Sequence, residues 1–310
     1  MMCVMKTEQS DILVTVGVIA YNSAKTIIET LDSIKKQTYP LSHIELLVAD
    51  DCSTDNTLKK AEVWIKEHGN DFESVRVIKS ETNQGIAHNT NQALHAARGV
   101  YYKGIAADDM LMETCIADYV DYMTLHSNVT ALFSRVRPFA IMDQEYAQKI
   151  RDMLDLSFFE KSIDEQLQYL LLYRTCLPAP AAFLRMQFLR ENKIECDERI
   201  PYIEDYPLWI NLLRAGAKFA CVDKECVLYR VGGITSSYSE KFFRSERLLV
   251  FYYRYQAWLK DDEDDAIQLV VNRECELFRE IKRLKSSKAY RLGKMLIGPF
   301  SRLKNSFAHK

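Results

Sequence analysis

Residues 12–51 read ILVTVGVIAYNSAKTIIETLDSIKKQTYPLSHIELLVADD, and their alternation of element types decides the fold. The run 12–19 (ILVTVGVI) is short, β-branched and nearly all apolar, which is the composition of a strand buried on both faces. It stops at Tyr21-Asn22-Ser23. Ile27, Ile28, Leu31 and Ile34 then share one helical face until Pro40 ends the pattern. A second apolar run, 44–49, ends in Asp50-Asp51-Cys52-Ser53-Thr54-Asp55, whose last three side chains suit a helix start. The helix that follows is expected to reach His68, with Gly69 as its stop. Residues 75–78 make a third strand that leads into Asn83-Gln84-Gly85, and another helix is expected to run to Arg98 before Gly99. The fourth strand, 101–106, runs straight into Asp108-Asp109.

Strand–helix alternation with short connections implies an α/β fold with a doubly wound, mostly parallel sheet flanked by helices. Tyr21-Asn22, Asp50-Asp51, Asn83 and Asp108-Asp109 all fall at the carboxyl ends of successive strands. Ligands of open α/β sheets bind in the crevice outside those ends. Polar turns explain any one of these placements, but four strand ends delivering acidic groups to one edge point to a site.

The composition fits such a body. The chain has 310 residues, 48% hydrophobic and 27% charged, which excludes disorder, collagen-like repeats and coiled coil. The length suits one large domain with an extension, divided at 1–240 and 241–310. No apolar run approaches the ~20 residues that cross a bilayer, and residues 1–10 lack a secretory layout. A cytoplasmic protein is therefore expected. Eight cysteines (3, 52, 115, 176, 196, 221, 226 and 275) are scattered with no CxxC, so free thiols are expected rather than a disulfide framework or zinc ribbon.

The strand ends also exclude chemistries. There is no GxxxxGK[ST], and Tyr21-Asn22-Ser23 stands where a GxGxxG would follow the first strand. HExxH and G-x-S-x-G are missing too. What remains is carboxylates, whose hard oxygens suit Mn²⁺ or Mg²⁺. An acidic crevice that holds an anionic nucleotide needs such a cation between them.

Five blocks in order, 14–40, 44–57 (IELLVADDCSTDNT), 81–94 (ETNQGIAHNTNQAL), 101–109 (YYKGIAADD) and 200–219 with 227–237 downstream, resemble family 2 glycosyltransferases. The likeness covers about residues 12–240. It implies a GT-A fold, inverting transfer from a nucleotide-sugar donor, and a Mn²⁺ or Mg²⁺ cofactor, without naming the sugar or the acceptor. On that resemblance Ile19, Tyr21, Asp51 and Asn83 would bind the donor, with Tyr21 and Asp51 at the nucleobase and Asp51 accepting from a pyrimidine ring N–H. Asp50 begins the same turn. Asp108 would meet the ribose or the metal, Asp109 would hold the metal that bridges the diphosphate, and Arg230 would contact phosphate. Asp205 would be the general base toward the acceptor hydroxyl, with Glu204 beside it. An Asp in the first turn of a helix is expected to be well ionised, hence a modest base.

This chain departs from the family pattern twice. Asn89-Thr90-Asn91 replaces Ala-Arg-Asn, and Gly232 stands where many members carry a histidine after Tyr-Arg. Arg230 and Thr235-Ser236-Ser237 are the expected substitutes for phosphate contacts. His88, His95, Trp64, Tyr202, Tyr206 and Trp209 are expected to be packing or surface residues. The loop 177–182 (LPAPAA) resembles the family's acceptor-side loop.

The net charge of −2 hides an asymmetry. Residues 281–310 hold nine Lys/Arg and no Asp or Glu, which leaves 32 basic against 43 acidic residues elsewhere. Within that tail, cations alternate with Tyr290, Leu292, Met295, Leu296, Ile297 and Phe300, the pattern of an interfacial anchor on an anionic membrane. A docked helix or a disordered basic end is the alternative. Nucleic acid is not the expected partner, since no nucleic-acid module accompanies the tail. The expected activity is metal-dependent transfer from a UDP-sugar to a surface-glycan or lipid-linked acceptor at the inner face of the membrane. A catalytically silent nucleotide-sugar-binding scaffold is the alternative. A nucleotidyltransferase lacks its Gly-rich loop here, and a receiver domain is too small.

Overall fold

The computed structural model describes residues 12–140, 143–173, 175–231, 240–254 and 264–287. They fall in two compact units, Met1–Ser237 and Tyr238–Lys310, each described by itself. In the first, β1 (Val14–Ala20), α1 (Ile27–Lys35), β2 (Ile44–Asp50), α2 (Thr57–His68), β3 (Ser74–Lys79), α3 (Ile86–Ala96) and β4 (Tyr101–Ala106) alternate as the sequence predicts. They pair in parallel, with β1 between β2 and β4 and β3 outside β2. Val14, Val16 and Val18 of β1 and all of β2 are buried. Each such aliphatic side chain contributes about 1.5–3 kcal/mol on leaving water, so the apolar runs are explained by burial on both faces. Gly17 has no alternative, because a Cβ there would strike the ring of Tyr102 on β4.

The other half of the sheet was not legible in the sequence. β5 (Met110–Leu111), α4 (Cys115–Leu125), β6 (Ala131–Phe139), α5 (Gln144–Arg151), α6 (Ile163–Leu172), β7 (Phe183–Arg185), α7 (Met186–Asn192), α8 (Asp205–Arg214) and β8 (Phe219–Arg230) complete it. The order is β3-β2-β1-β4-β7-β6-β8-β5. β7 runs antiparallel to β4 and β6, β8 runs parallel to β6, and β5 runs antiparallel to β8. The last pairing carries the end of β8 back beside the residues that follow β4, which is what builds the site.

The opposite, amino-terminal edge of the sheet is closed by a buried acid. Glu45 is fully buried and accepts from Thr15 Oγ1 (2.6 Å), the Arg98 N–H (2.7 Å), Arg98 Nε (2.7 Å) and Arg76 Nη2 (2.7 Å). Burial pushes its carboxyl up, but these donors together outweigh that and hold it below the usual range. This network explains why α3 stops at Ala96 instead of reaching Arg98: Arg98 is drawn back to Glu45.

In the second unit, α9 (Glu240–Leu249) and α10 (Asp264–Ser286) pack through Phe243 stacked on Phe278 at 4.6 Å. Of the basic tail, Lys282, Arg283 and Lys285 lie in α10. Tyr290 to Phe300, like Gly232 and Thr235-Ser236-Ser237, lie outside the described residues. Among the described residues no helix is long and apolar enough to cross a membrane.

Candidate active site

The loops after β1 and β2 are knitted together by short polar side chains. Asn22, in the left-handed region at φ 50°, accepts from the Thr54 N–H (2.8 Å) and donates its own N–H to Ser53 Oγ (2.8 Å). The Ser23 N–H donates to Thr57 Oγ1 (2.7 Å) and the Ala24 N–H to Asp55 Oδ2 (3.1 Å). Ser53, Thr54 and Asp55 thus tie loop to loop, and the helix N-cap falls to Asn56, whose side chain makes no cap bond. Asp50 accepts from the Ser53 N–H (2.9 Å) and shapes the turn. Above this floor the Tyr21 side chain is 46% exposed, and the Ile19 carbonyl is engaged by the Ala107 N–H (3.0 Å).

Asp51 faces the chain. It is 3% exposed, its Oδ1 accepts from the Gln84 N–H (2.9 Å) and its Oδ2 from the Gly85 N–H (2.8 Å). A carboxylate there satisfies otherwise unpaired amides at the start of α3 and favours the positive end of its dipole. Asn83 Nδ2 reaches the Asp51 carbonyl at 3.4 Å. Gly85 sits at φ 97°, and a Cβ would lie 2.9 Å from Pro201. Gly85→Ala is therefore expected to cost about 1–3 kcal/mol, read as a lower midpoint in urea denaturation; an unchanged midpoint would show that the loop tolerates the contact.

Asp108 and Asp109 stand at the end of β4, held by the last residue of β8. The Arg230 N–H donates to Asp109 Oδ1 (2.7 Å), Arg230 Nε donates to the Asp108 carbonyl (2.8 Å), and the guanidinium pairs with Glu29 of α1. Arg230 also lies over the Phe139 ring at 4.5 Å. Asp109 is 2% exposed. Burial and then the adjacent Asp108 push its carboxyl up to about 8, and burial also raises Asp108. Asp109 Oδ2 accepts no hydrogen bond among the described residues. Two adjacent carboxylates at a strand end, with their carboxyls raised by burial despite Arg230, have the hard oxygens that suit Mn²⁺ or Mg²⁺. Such an ion takes one or two carboxylates and completes its shell with water and substrate phosphate. Among the described residues no third His, Cys, Asp or Glu joins them.

Glu204 and Asp205 open α8, with Glu204 as the N-cap residue making no cap bond. Burial, then Asp205, pushes Glu204 up to about 8; burial pushes Asp205 up to about 6 against the Tyr206 N–H that lowers it. The expectation of a modest base is corrected here, because desolvation outweighs the helix dipole and raises Asp205 while leaving it ionised at neutral pH. The pair consequently suits a proton acceptor better than a solvated carboxylate does.

These residues form three groups: Asp51 bonded to Asn83, Asp108 and Asp109 bonded to Arg230, and Glu204 adjacent to Asp205, whose charge it feels. Among the described residues no side-chain bond joins one group to another. Backbone bonds tie the elements that carry them, through Ala107 N–H to Ile19 O (3.0 Å) and Ala87 N–H to Pro201 O (3.3 Å). Trp64, Tyr206 and Trp209 are buried, as expected of packing residues.

Sequence reasoning missed Glu29, which resembles an ordinary first-turn acid, and Thr30, whose hydroxyl donates to the Asp109 carbonyl (2.7 Å). It also missed Lys103. This lysine is fully buried in β4, donates to the Gly104 (2.8 Å) and Pro180 carbonyls, and ties the loop 177–182 to the strand that carries Asp108. Burial lowers its ammonium, while Cys115 and Asp109 act in the other direction.

The family model described as Glycosyl transferase family 2 matches residues 15–190. The Escherichia coli protein named UDP-Glc:alpha-D-GlcNAc-diphosphoundecaprenol beta-1,3-glucosyltransferase WfaP is 27% identical over 243 residues, which is 76% of this chain and 85% of that protein. The crystal structure of S. aureus TarS 1-349 in complex with UDP-GlcNAc superposes at a TM-score of 0.61 and 24% identity, covering 82% of this chain and 70% of that one. The mannosyltransferase PcManGT from Pyrobaculum calidifontis, in complex with GDP-Man and Mn2+, superposes at 0.57 and 17% identity, covering 91% and 83%. Both structural likenesses are of fold.

Proposed function

The chain belongs to glycosyl transferase family 2 and is a glycosyltransferase; from that premise we propose metal-dependent, inverting transfer from a UDP-sugar to a hydroxyl of a lipid-linked or surface glycan. The observation that carries the reading is the Asp108–Asp109 pair, half-buried and buried respectively, clamped by Arg230 at the end of β4. Uridine as the nucleoside is supported by the UDP-Glc in the name of the E. coli relative and the UDP-GlcNAc bound in TarS. The Mn2+ in the archaeal mannosyltransferase supports the metal.

Tyr21 and Ile19 would flank the base. Asp51 would build the nucleobase wall by fixing Asn83–Gly85, and a carboxylate oxygen that already accepts one N–H keeps a lone pair for a ring N–H. Asp108 and Asp109 would hold Mn²⁺ or Mg²⁺, which offsets the charge of a departing diphosphate. Ionised Asp205 would take the acceptor hydroxyl proton as that oxygen attacks the anomeric carbon. The bond from that carbon to the diphosphate breaks on the opposite face, so the configuration inverts and the nucleoside diphosphate leaves with the bonding pair. Glu204, whose carboxyl burial and Asp205 raise, would spare Asp205 an adjacent negative charge when protonated.

Incubation with UDP-Glc or UDP-GlcNAc and diphosphate-lipid glycans is expected to release UDP only with acceptor and Mn²⁺. Donor binding with no release for any acceptor would favour a silent scaffold of the same fold.

We also propose peripheral attachment to an anionic membrane through the basic tail. Nine cations near such a surface contribute ~1 kcal/mol each, and the E. coli relative is named for an undecaprenol-linked substrate. Deleting residues 286–310, which removes six of the nine cations, is expected to reduce co-sedimentation with phosphatidylglycerol vesicles strongly; undiminished sedimentation would refute the anchor.

A further inference from the structure

The segment between α7 and α8 delivers Glu204 and Asp205 to the site without regular structure of its own. Something else must fix where Asp205 stands, and α3 supplies it. Asn91, on the buried side of α3, is 2% exposed. Its Oδ1 accepts from the Cys196 N–H (2.8 Å), and its Nδ2 donates to the Cys196 carbonyl (3.0 Å) and to Glu198 Oε1 (2.8 Å). The amide thereby imitates a backbone partner for Cys196, itself buried. The other Glu198 oxygen lies 3.0 Å from His88 Nδ1, one turn earlier on α3, and His95 reaches Glu195 at 2.8 Å. Farther along, the Ala87 N–H donates to the Pro201 carbonyl, and Gly85 lies so close to Pro201 that no side chain fits between them.

The start of α3 is itself fixed by the Asp51 carboxylate through the Gln84 and Gly85 N–H groups. One helix is thus bonded at its end to the donor-side loop and along its flank to the segment that carries the acceptor-side acids. We propose that Asn91 and Glu198 are positioning residues, which hold the 196–201 segment on α3 so that Asp205 meets the acceptor hydroxyl while the donor is bound. The inference rests on the assignment of Asp205 as base. It also gives a reason for the buried asparagine at position 91 of α3.

A positioning role separates turnover from donor binding. Removing one partner of a buried hydrogen bond leaves the other unsatisfied, and a small displacement of a reacting group is costly to rate. Asn91→Ala and Glu198→Ala are expected to lower kcat at least about tenfold, with the donor KM and the Mn²⁺–UDP dissociation constant, measured by calorimetry at full stoichiometry, within about twofold of wild type. Glu198→Gln keeps an acceptor for Asn91 and a donor for His88, so its kcat should stay near wild type. Glu198 is exposed, so its variants remain informative where Asn91→Ala fails to fold. Unchanged kcat in Glu198→Ala, or an equal loss of donor affinity, would overturn the positioning role and leave the transferase reading intact. A wild-type protein that neither binds Mn²⁺–UDP nor turns over would overturn both.

Discussion

Asp205→Asn is expected to lower kcat by about 10²–10⁴-fold, the range that a positioned general base supplies, while donor affinity stays at the wild-type level. The substitution keeps the size of the side chain and removes its ability to take a proton. Burial has raised the Asp205 carboxyl to about 6, and the proposed base would act only when ionised. The wild-type kcat should therefore fall as pH drops through about 6 and level off above it. That acid limb should vanish from the residual activity of Asp205→Asn. Full activity in the variant, or an unchanged limb, would remove Asp205 from the chemistry.

Asp109→Ala should damage binding as well as turnover. Metal stabilisation of a departing diphosphate is worth several kcal/mol, and at 1.4 kcal/mol per decade this is roughly 10²–10³-fold in kcat/KM. Its carboxyl, raised to about 8 by burial and by Asp108, holds a proton at neutrality that an incoming cation must displace. Below that value proton and metal compete, so wild-type donor affinity in Mn²⁺ should rise as pH climbs toward about 8. Asp109→Ala should flatten that dependence. Calorimetry of UDP with Mn²⁺ across this range checks both points, and a variant that binds as wild type would place the metal elsewhere.

The contrast between these acids shows what sequence carries. β1 to β4 were legible because burial on both faces demands uninterrupted β-branched runs, and Asp108-Asp109 were placed by following β4 to its end. β6 was not legible. Its exposed face carries Arg135 and Arg137, which pair with Asp223 and Glu225 of β8, and Pro138 follows, so no apolar run announces it. The electrostatics of Glu204 and Asp205 were misjudged for a related reason. Helix position is written in the sequence, whereas desolvation depends on which distant segments close over the site. Lys103 illustrates the same limit, since only the fold shows a lysine in a central strand donating to the Pro180 carbonyl. Asn91 was noticed as a departure at its neighbours, but its bonds to Cys196 and Glu198 span more than a hundred residues.

The central claim is that the acidic strand ends bind a nucleoside diphosphate-sugar through a divalent cation. Thermal unfolding with UDP-, GDP-, dTDP- and CDP-sugars, each with Mn²⁺ and with EDTA, tests it most directly. A ligand at a hundred times its dissociation constant adds about 2.7 kcal/mol to the stability of the folded state. A stabilising shift with UDP-sugars that EDTA abolishes and Asp109→Ala lacks is the predicted result. A shift that is indifferent to EDTA and to Asp109→Ala, or no shift with any nucleotide sugar, would contradict it.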